Sequence, residues 1–118
     1  EVALTAVYAP GQALLANAAG AEWVIPYVNR AGRLAERGDR LVRDVAAVLT
    51  SAGGTTRILA ASIKSAGEAV RAVLDGAAAV SAPLDVLIDL DRHPLTTAAI
   101  EEFARAASAG SSSEQASQ

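Results

Sequence analysis

Residues 23–30 read WVIPYVNR, a short apolar run that stops at a polar pair. The run is long enough for one strand and lies between two segments with helical patterning. Alternation would point the side chains to opposite faces, with Ile25, Tyr27 and Asn29 on one and Val24 and Val28 on the other. Because a strand with bulky groups on both faces is usually buried on both, the run predicts a parallel sheet covered by helices.

The same order of strand and then helix recurs along the chain. Strands are predicted over residues 2–8, 23–28, 57–62 and 77–82, and helices over 10–19, 39–52, 65–75 and 84–91. This alternation implies parallel strands joined by right-handed crossovers. Four units could form a small open sheet, or half of a (β/α)8 barrel of roughly 250 residues. The pattern alone does not decide between the two.

Local signals predict the helix ends and the buried faces. Ser65 and Glu68 form a capping box, Thr96 or Thr97 is expected to cap a last helix, and residues 30–38 are expected to be a loop. In the first strand, one face is predicted to hold Ala3, Thr5 and Val7. The helix side chains predicted to face inward are Leu14, Leu15, Leu41, Val45, Val48, Leu49, Val70, Val73, Leu74, Ile100 and Phe103. Residues 110–118 are rich in Ser and predict a disordered polar tail.

Composition bounds the class of protein. The chain has 118 residues, enough for one domain, and a net charge of −3, which argues against general nucleic-acid binding. It has no Cys, and no apolar run approaches the ~20 residues that span a bilayer. We therefore expect a cytoplasmic protein with no membrane contact. The chain also lacks Met and opens directly on a strand, so it is expected to be part of something larger or to be trimmed.

Three donors follow two neighbouring strands. Arg30 closes the second strand, and Ser62 and Lys64 close the third. Carboxyl ends of parallel strands are where such sheets place their chemistry. A planar fork, a hydroxyl and a point charge together suit a phosphate, which predicts an anion site here. The alternative is an ordinary Ser beside two solvated cations.

Other candidates are weaker. Lys64 is the only Lys, so only its side chain could form a Schiff base, but a position beside a polar Ser suits a solvated cation better. Thr5 and Tyr27 could hold a water or a substrate oxygen between their hydroxyls, or could be a core Thr and a wall Tyr. Trp23 is expected in the core, and His93, before a Pro, is expected to be structural. No cluster supports a metal site, and no cofactor is expected.

Several runs, in order, resemble one family. They are Leu4-Thr5-Ala6-Val7-Tyr8, Gln12-Ala13-Leu14-Leu15, Ala18-Ala19-Gly20-Ala21, Pro26-Tyr27-Val28-Asn29-Arg30, Leu59-Ala60-Ala61-Ser62 and His93-Pro94-Leu95-Thr96. From about Val2 to Ala106 the chain is similar to the transaldolase family, and most to its fructose-6-phosphate aldolase branch. The similarity covers only the second half of that family's barrel, strands five to eight.

The resemblance implies class I aldolase or transaldolase chemistry, in which a Lys forms an imine with a ketose. In the family that Lys lies on strand four, which this chain lacks. Thr5 and Tyr27 match the positions whose hydroxyls hold the catalytic water. Arg30 and Ser62 match phosphate-binding positions, and Lys64 stands where the family has a basic residue near the phosphate.

The resemblance also implies two donor-pocket residues. Ile25 replaces a usually small residue beside the donor substrate, so it would narrow the pocket. Asn29 matches an Asn or Gly and could merely shape the loop.

The fold expected is therefore α/β, half of a (β/α)8 barrel over residues 1–109, completed by a second chain that brings the catalytic Lys. That chain would make the protein one subunit of a split aldolase acting on sugar phosphates, within a higher oligomer. The alternatives are a non-catalytic sugar-phosphate-binding module and a trimmed fragment of a full-length aldolase.

Overall fold

The computed structural model describes the backbone of residues 1–116 and the side chains of residues 1–110. The chain forms two compact units, Glu1–Leu87 and Ile88–Gln118. No helix within the described residues is both long enough and apolar enough to cross a membrane.

The first unit contains a four-stranded parallel sheet. Its strands are β1 (Ala3–Val7), β2 (Trp23–Pro26), β3 (Arg57–Ala60) and β4 (Ala79–Val80). They pair in sequence order, β1-β2-β3-β4, and every pair is parallel. The predicted α/β fold with a parallel sheet is confirmed. The strands are shorter than predicted, most of all β4.

In residues 1–116, six α-helices and one short 3-10 turn connect or follow the strands. They are α1 (Pro10–Ala18), α2 (Val28–Leu34), the 3-10 turn Gly38–Arg40, α3 (Leu41–Ala52), α4 (Ala66–Leu74), α5 (Leu84–Asp91) and α6 (Pro94–Ala116). Helix α4 ends within one residue of the predicted bound at 75, and Gly76 follows it with a φ of +122°, which residues with a Cβ rarely adopt. Helix α5 has the predicted bounds.

Helix α2 occupies residues 30–34 of the loop predicted over residues 30–38, and residues 35–37 remain non-helical. Its first-turn N–H groups are satisfied by the end of the neighbouring strand. Val28 N donates to the Ala61 carbonyl at 2.8 Å, and Asn29 N donates to the Ser62 carbonyl at 2.9 Å. Because these acceptors come from a distant part of the chain, no local signal announces the helix. Strand β2 therefore ends at Pro26, and Asn29 does not share a face with Ile25 as predicted.

Two helices turn a different side to the sheet from the one predicted. The buried positions are Ala13 and Ala16 on α1 and Ala69 and Ala72 on α4. The bulkier residues expected inside are exposed instead, namely Leu14, Leu15, Val70, Val73 and Leu74. Small side chains let a helix backbone lie close to the sheet, so the Ala face packs best. On α3 the prediction holds, with Leu41 and Val45 buried.

One face of the sheet is buried beneath the helices and the other is not. The buried face holds Val7, Val24, Pro26, Ile58 and Ala60. The opposite face holds Ala3 and Thr5, which are exposed, and Trp23, Ile25 and Leu59, which are only half-buried. Cover on both faces was predicted and is wrong within this unit. We call this second surface the open face.

Trp23 is not in the core as predicted. It lies on the open face, where the guanidinium carbon of Arg57 is 4.2 Å from the centre of its ring. Register explains the contact, because Trp23 pairs directly with Arg57 in the neighbouring strand.

A bulge in β1 separates Thr5 from Val7. Leu4 pairs with Val24 and Val7 pairs with Pro26, so β1 has one residue more between the two pairs than β2 has. Ala6 is that extra residue, with φ of +55°. The bulge returns Val7 to the buried face while Thr5 stays on the open face, so the predicted grouping of Ala3, Thr5 and Val7 is wrong.

Helix α6 begins earlier than predicted. Pro94 is its first residue, and Nδ1 of His93 accepts the Leu95 N–H at 3.1 Å. His93 therefore caps the helix in place of Thr96 or Thr97, which agrees with a structural role. Ile100 and Phe103, expected inside, are exposed. The helix is continuous to Ala116; the polar tail predicted for 110–118 otherwise lies outside the residues whose side chains are described.

Candidate functional site

The carboxyl ends of β1, β2 and β3 bring together residues that are far apart in sequence. The side chains of Thr5 and Tyr27 meet there, and the backbone of Arg30 meets the side chain of Ser62. This edge is where parallel sheets of this kind place their chemistry.

Thr5 and Tyr27 form a hydroxyl pair. Oγ1 of Thr5 donates to the phenolic oxygen of Tyr27 at 3.3 Å. The Tyr27 ring is held by the Tyr8 ring, edge to face, with 5.9 Å between centroids. Thr5 is exposed and Tyr27 half-buried, so both oxygens can still bond a water or a substrate oxygen.

Arg30 also contacts the Tyr27 ring. Its guanidinium carbon is 5.3 Å from the Tyr27 centroid, within the range of a cation–π contact. Within the described part of the chain Arg30 forms no ion pair, since the one salt bridge there joins Arg71 and Asp75. The stacked guanidinium thus keeps its N–H donors available to an anion.

Ser62 has a strained backbone at the end of β3. Its φ is +57°, a left-handed conformation that costs a residue with a Cβ about 1 kcal/mol. The strain is held by α2, because Asn29 N donates to the Ser62 carbonyl and Arg30 N donates to its Oγ at 3.3 Å. The Ser62 hydroxyl proton is left to donate to an incoming oxygen.

Lys64 lies two residues beyond Ser62. Its backbone N–H donates to Oε1 of Glu68 at 3.0 Å, and the residue is exposed. Its ammonium makes no hydrogen bond or ion pair among the residues the structure describes. A solvated ammonium fits attraction of an anion better than Schiff-base formation, which a desolvated amine favours.

The two predicted donor-pocket residues lie apart. Ile25 is on the open face, half-buried, one strand position before the buried Pro26. Asn29 is on α2, where its amide donates to the Glu68 carboxylate and its Oδ1 accepts from Nε of Arg33 at 3.0 Å. The structure therefore links Asn29 to α4 and leaves Ile25 on the open face.

Two residues that the sequence analysis did not assign to the site support its loops. Oε1 of Gln12 accepts the N–H groups of Tyr8 and Ala9, at 2.8 and 3.0 Å, which fixes the turn after β1. Glu68 was read only as half of a capping box. Its carboxylate bonds Lys64 N and Asn29, whereas Ser65 Oγ accepts Glu68 N at 3.1 Å. The capping-box spacing in the sequence singles out Glu68, but it does not reveal that Asn29 and Lys64 N are the partners of its carboxylate.

A shifted pKa occurs at the opposite, amino end of the strands. A side-chain hydrogen bond to Glu22, together with the negative charge of Glu22, raises the pKa of the Glu1 carboxyl, and the Arg57 guanidinium opposes the shift. In the described residues no group of three or more His, Asp or Glu side chains is placed to hold a metal ion.

Comparison with known proteins gives a consistent result. The family model described as Transaldolase/Fructose-6-phosphate aldolase matches residues 1–118. A probable transaldolase of Dictyoglomus turgidum is 37% identical over 100 residues, which cover 85% of this chain and 47% of that protein. A probable transaldolase of Symbiobacterium thermophilum is 39% identical, with 85% and 46% covered. The chain thus spans about half the length of the curated relatives it matches.

A solved structure also resembles the fold. A mandelate oxidase variant with 2-hydroxy-phenylacetamide matches with a TM-score of 0.52 and 27% identity, over 69% of this chain and 24% of that one.

Proposed function

The chain belongs to the transaldolase/fructose-6-phosphate aldolase family, and we propose that it supplies one half of a class I aldolase or transaldolase acting on sugar phosphates. In this proposal the chain binds the phosphate and positions the catalytic water. The Lys that forms the imine comes from a second chain, an N-terminal half-barrel, and this chain is inactive without it. A cytoplasmic location and a higher oligomer stay predictions.

The observation that supports the missing half is the open face. Parallel sheets are nearly always covered on both faces, yet Trp23, Ile25 and Leu59 are half-exposed on one of them. The outer strands β1 and β4 also have no further partner strand in the described residues. Four more strands would close the sheet and turn the open face into a barrel interior.

Strand order supports a barrel over a doubly wound sheet. A doubly wound sheet reverses its strand order at a switch point, as in 3-2-1-4. Here the order is β1-β2-β3-β4 without reversal, the order in which a barrel is wound.

The proposed chemistry uses the hydroxyl pair near the partner's Lys. The Lys amine condenses with the ketose carbonyl, releasing water and forming an imine. The protonated imine then accepts the electron pair of the breaking carbon–carbon bond as a proton leaves the neighbouring hydroxyl, so that an aldehyde departs and an enamine remains. Protonation of the enamine at carbon, or its addition to another aldehyde, restores the imine. Thr5 and Tyr27 hold the water that moves these protons and later attacks the imine carbon. Hydroxyls 3.3 Å apart can share one such water.

The proposed phosphate site begins at Arg30, three residues after Tyr27 and in the first turn of α2. Arg30 presents its fork from the face of Tyr27, Ser62 presents a hydroxyl, and Lys64 adds a solvated charge. Ile25 lies on the open face with Thr5, where its side chain would narrow the donor pocket. We therefore propose that dihydroxyacetone and its sugar equivalents are poorer donors than a smaller hydroxyketone.

Borohydride trapping tests this function. The native complex is isolated from the source cell, incubated with fructose 6-phosphate and borohydride, and each polypeptide is weighed by intact mass spectrometry. We expect a second polypeptide to be present and to bear the adduct. An adduct on Lys64, or imine formation by this chain alone, would contradict the proposal.

The alternative function is a non-catalytic sugar-phosphate-binding module. One observation favours it. Arg30, Ser62 and Lys64, the proposed phosphate-binding residues, all come from this chain, and the chain has no second Lys that could form the imine. A native complex that contains only this chain and takes up sugar phosphate without an adduct would favour it. If the intact mass of the native polypeptide exceeds that of 118 residues, these residues would instead be part of a longer aldolase chain.

A further inference from the structure

The carboxylate of Glu68 contacts both segments that present the proposed phosphate site. It accepts Nδ2 of Asn29 at 3.1 and 3.3 Å with its two oxygens, and the backbone N–H of Lys64 at 3.0 Å. Asn29 precedes Arg30 on α2. Lys64 follows Ser62 by two residues. One side chain thus links the segments that follow β2 and β3.

The link has only one favourable arrangement of donors and acceptors. Asn29 Oδ1 already accepts Nε of Arg33, so its amide cannot turn over without setting two donors against each other. Its Nδ2 must therefore face an acceptor, and Glu68 supplies two. The Asn29–Glu68 contact is part-buried and borders a cleft of about 360 Å³ between α2 and α4. Partial burial strengthens such charge-assisted bonds relative to bonds in water.

Capping of α4 does not need this carboxylate. The cap is made by Ser65, whose Oγ accepts the Glu68 N–H. In an ordinary capping box the Glu side chain would return to Ser65 N, whereas here it reaches Lys64 N and Asn29. Helix capping and loop bridging are therefore separable by mutation.

We propose that Glu68, through Asn29, is a positioning residue that sets the spacing between Arg30 and the Ser62–Lys64 segment and so determines phosphate affinity. The inference rests on the proposed function, because it presumes that these residues bind phosphate. Glu68 and Asn29 lie outside the hydroxyl pair and act through their neighbours.

The test compares phosphate dissociation constants for a set of variants, with the full chain in the assembly in which it purifies. The probe is inorganic phosphate, followed by calorimetry. In Glu68→Gln the new NH2 group faces another donor, either the Asn29 amide or the Lys64 backbone N–H. We expect phosphate binding to be about tenfold weaker, as for the loss of one charge-assisted hydrogen bond. In Asn29→Asp the new carboxylate faces that of Glu68, so phosphate binding should be weaker still.

The double variant Asn29→Asp/Glu68→Gln is the decisive member. The introduced amide donates to the introduced carboxylate, its oxygen accepts Lys64 N, and the other carboxylate oxygen accepts Arg33. We expect binding within about threefold of wild type, a restoration that a loss of general stability would not produce. Ser65→Ala is the matched control: it removes the cap of the same helix and should lower Tm while leaving phosphate affinity unchanged.

Each outcome separates the two proposals. If the wild-type assembly does not bind phosphate, the proposed function fails. If wild type binds and Glu68→Gln binds equally well, or the double variant is no better than the single ones, the positioning role of Glu68 is wrong. Equal loss in Ser65→Ala would also overturn it, because the effect would then follow from the helix.

Discussion

Oγ1 of Thr5 lies 3.3 Å from the phenolic oxygen of Tyr27, across two strands and beside an edge-to-face contact with Tyr8. Thr5 follows Leu4, which pairs with Val24 on the buried face, so Thr5 points to the open face, and the β1 bulge at Ala6 then returns Val7 to the buried face. Two hydroxyls fixed in this way can orient one water, which is the basis of the first prediction.

Tyr27→Phe should lower kcat of the assembled enzyme by about 100-fold, since it removes a group that positions the water. Phosphate affinity should stay within about twofold, because the ring still supports Arg30. Steady-state kinetics with fructose 6-phosphate check the first value and calorimetry the second. Tyr8→Phe is the control, as it keeps the aromatic contact, and a comparable fall in kcat there would argue against a special role for the Tyr27 hydroxyl.

Arg30→Ala should raise KM for phosphorylated substrates about tenfold or more, because a charge-assisted contact is lost. Arg30→Lys should recover little, since an ammonium cannot reproduce the planar fork over Tyr27. Arg43→Ala, an exposed Arg on α3, removes the same charge elsewhere and is the control. KM is measured for phosphorylated and unphosphorylated ketoses. Equal changes for both substrates would contradict phosphate binding.

Ser62 allows strain and chemistry to be separated. Ser62→Ala and Ser62→Gly both lose the hydroxyl and should weaken phosphate binding equally. Because φ is +57° there, the Gly variant should be more stable than the Ala variant by about 1 kcal/mol in urea unfolding. A Gly variant no more stable than the Ala variant would mean that the left-handed backbone is not under strain.

The parts of the fold that local signals specify were predictable. The strand and helix order, the bounds of α5 and the buried residues of α3 follow from periodicity, capping residues and glycines. Helix α2 was not predictable, because the groups that satisfy its first turn are Ala61 and Ser62, more than thirty positions away. Packing also chose the Ala faces of α1 and α4 over Leu14 and Val70, a choice that hydrophobicity alone ranks in reverse.

The site divides in the same way. Strand-end position alone groups Arg30 with Ser62. For Thr5 and Tyr27 the residues leave two interpretations open, and only the family resemblance implies a role. The structure brings both pairs to one edge of the sheet. The roles of Gln12 and Glu68 depend on which backbone N–H groups lie nearby, and those distances exist only in the folded chain. Alternation in β2 predicts cover on both faces, and only the resemblance to half of a barrel implies a sheet face that a second chain would cover.

Trp23 is the only Trp of the chain and lies half-buried on the open face, so it reports on whether that face is covered. When the barrel is completed, the fluorescence of Trp23 should shift to shorter wavelength and iodide should quench it less, because the ring leaves water.

Leu59→Glu places a charge on the same face and should prevent assembly, since an unpaired buried carboxylate costs several kcal/mol. Leu74→Glu, on an exposed position of α4, is the matched control and should assemble normally. Native mass spectrometry and emission spectra of the three proteins measure this, and equal assembly by Leu59→Glu would show that the open face is not an interface.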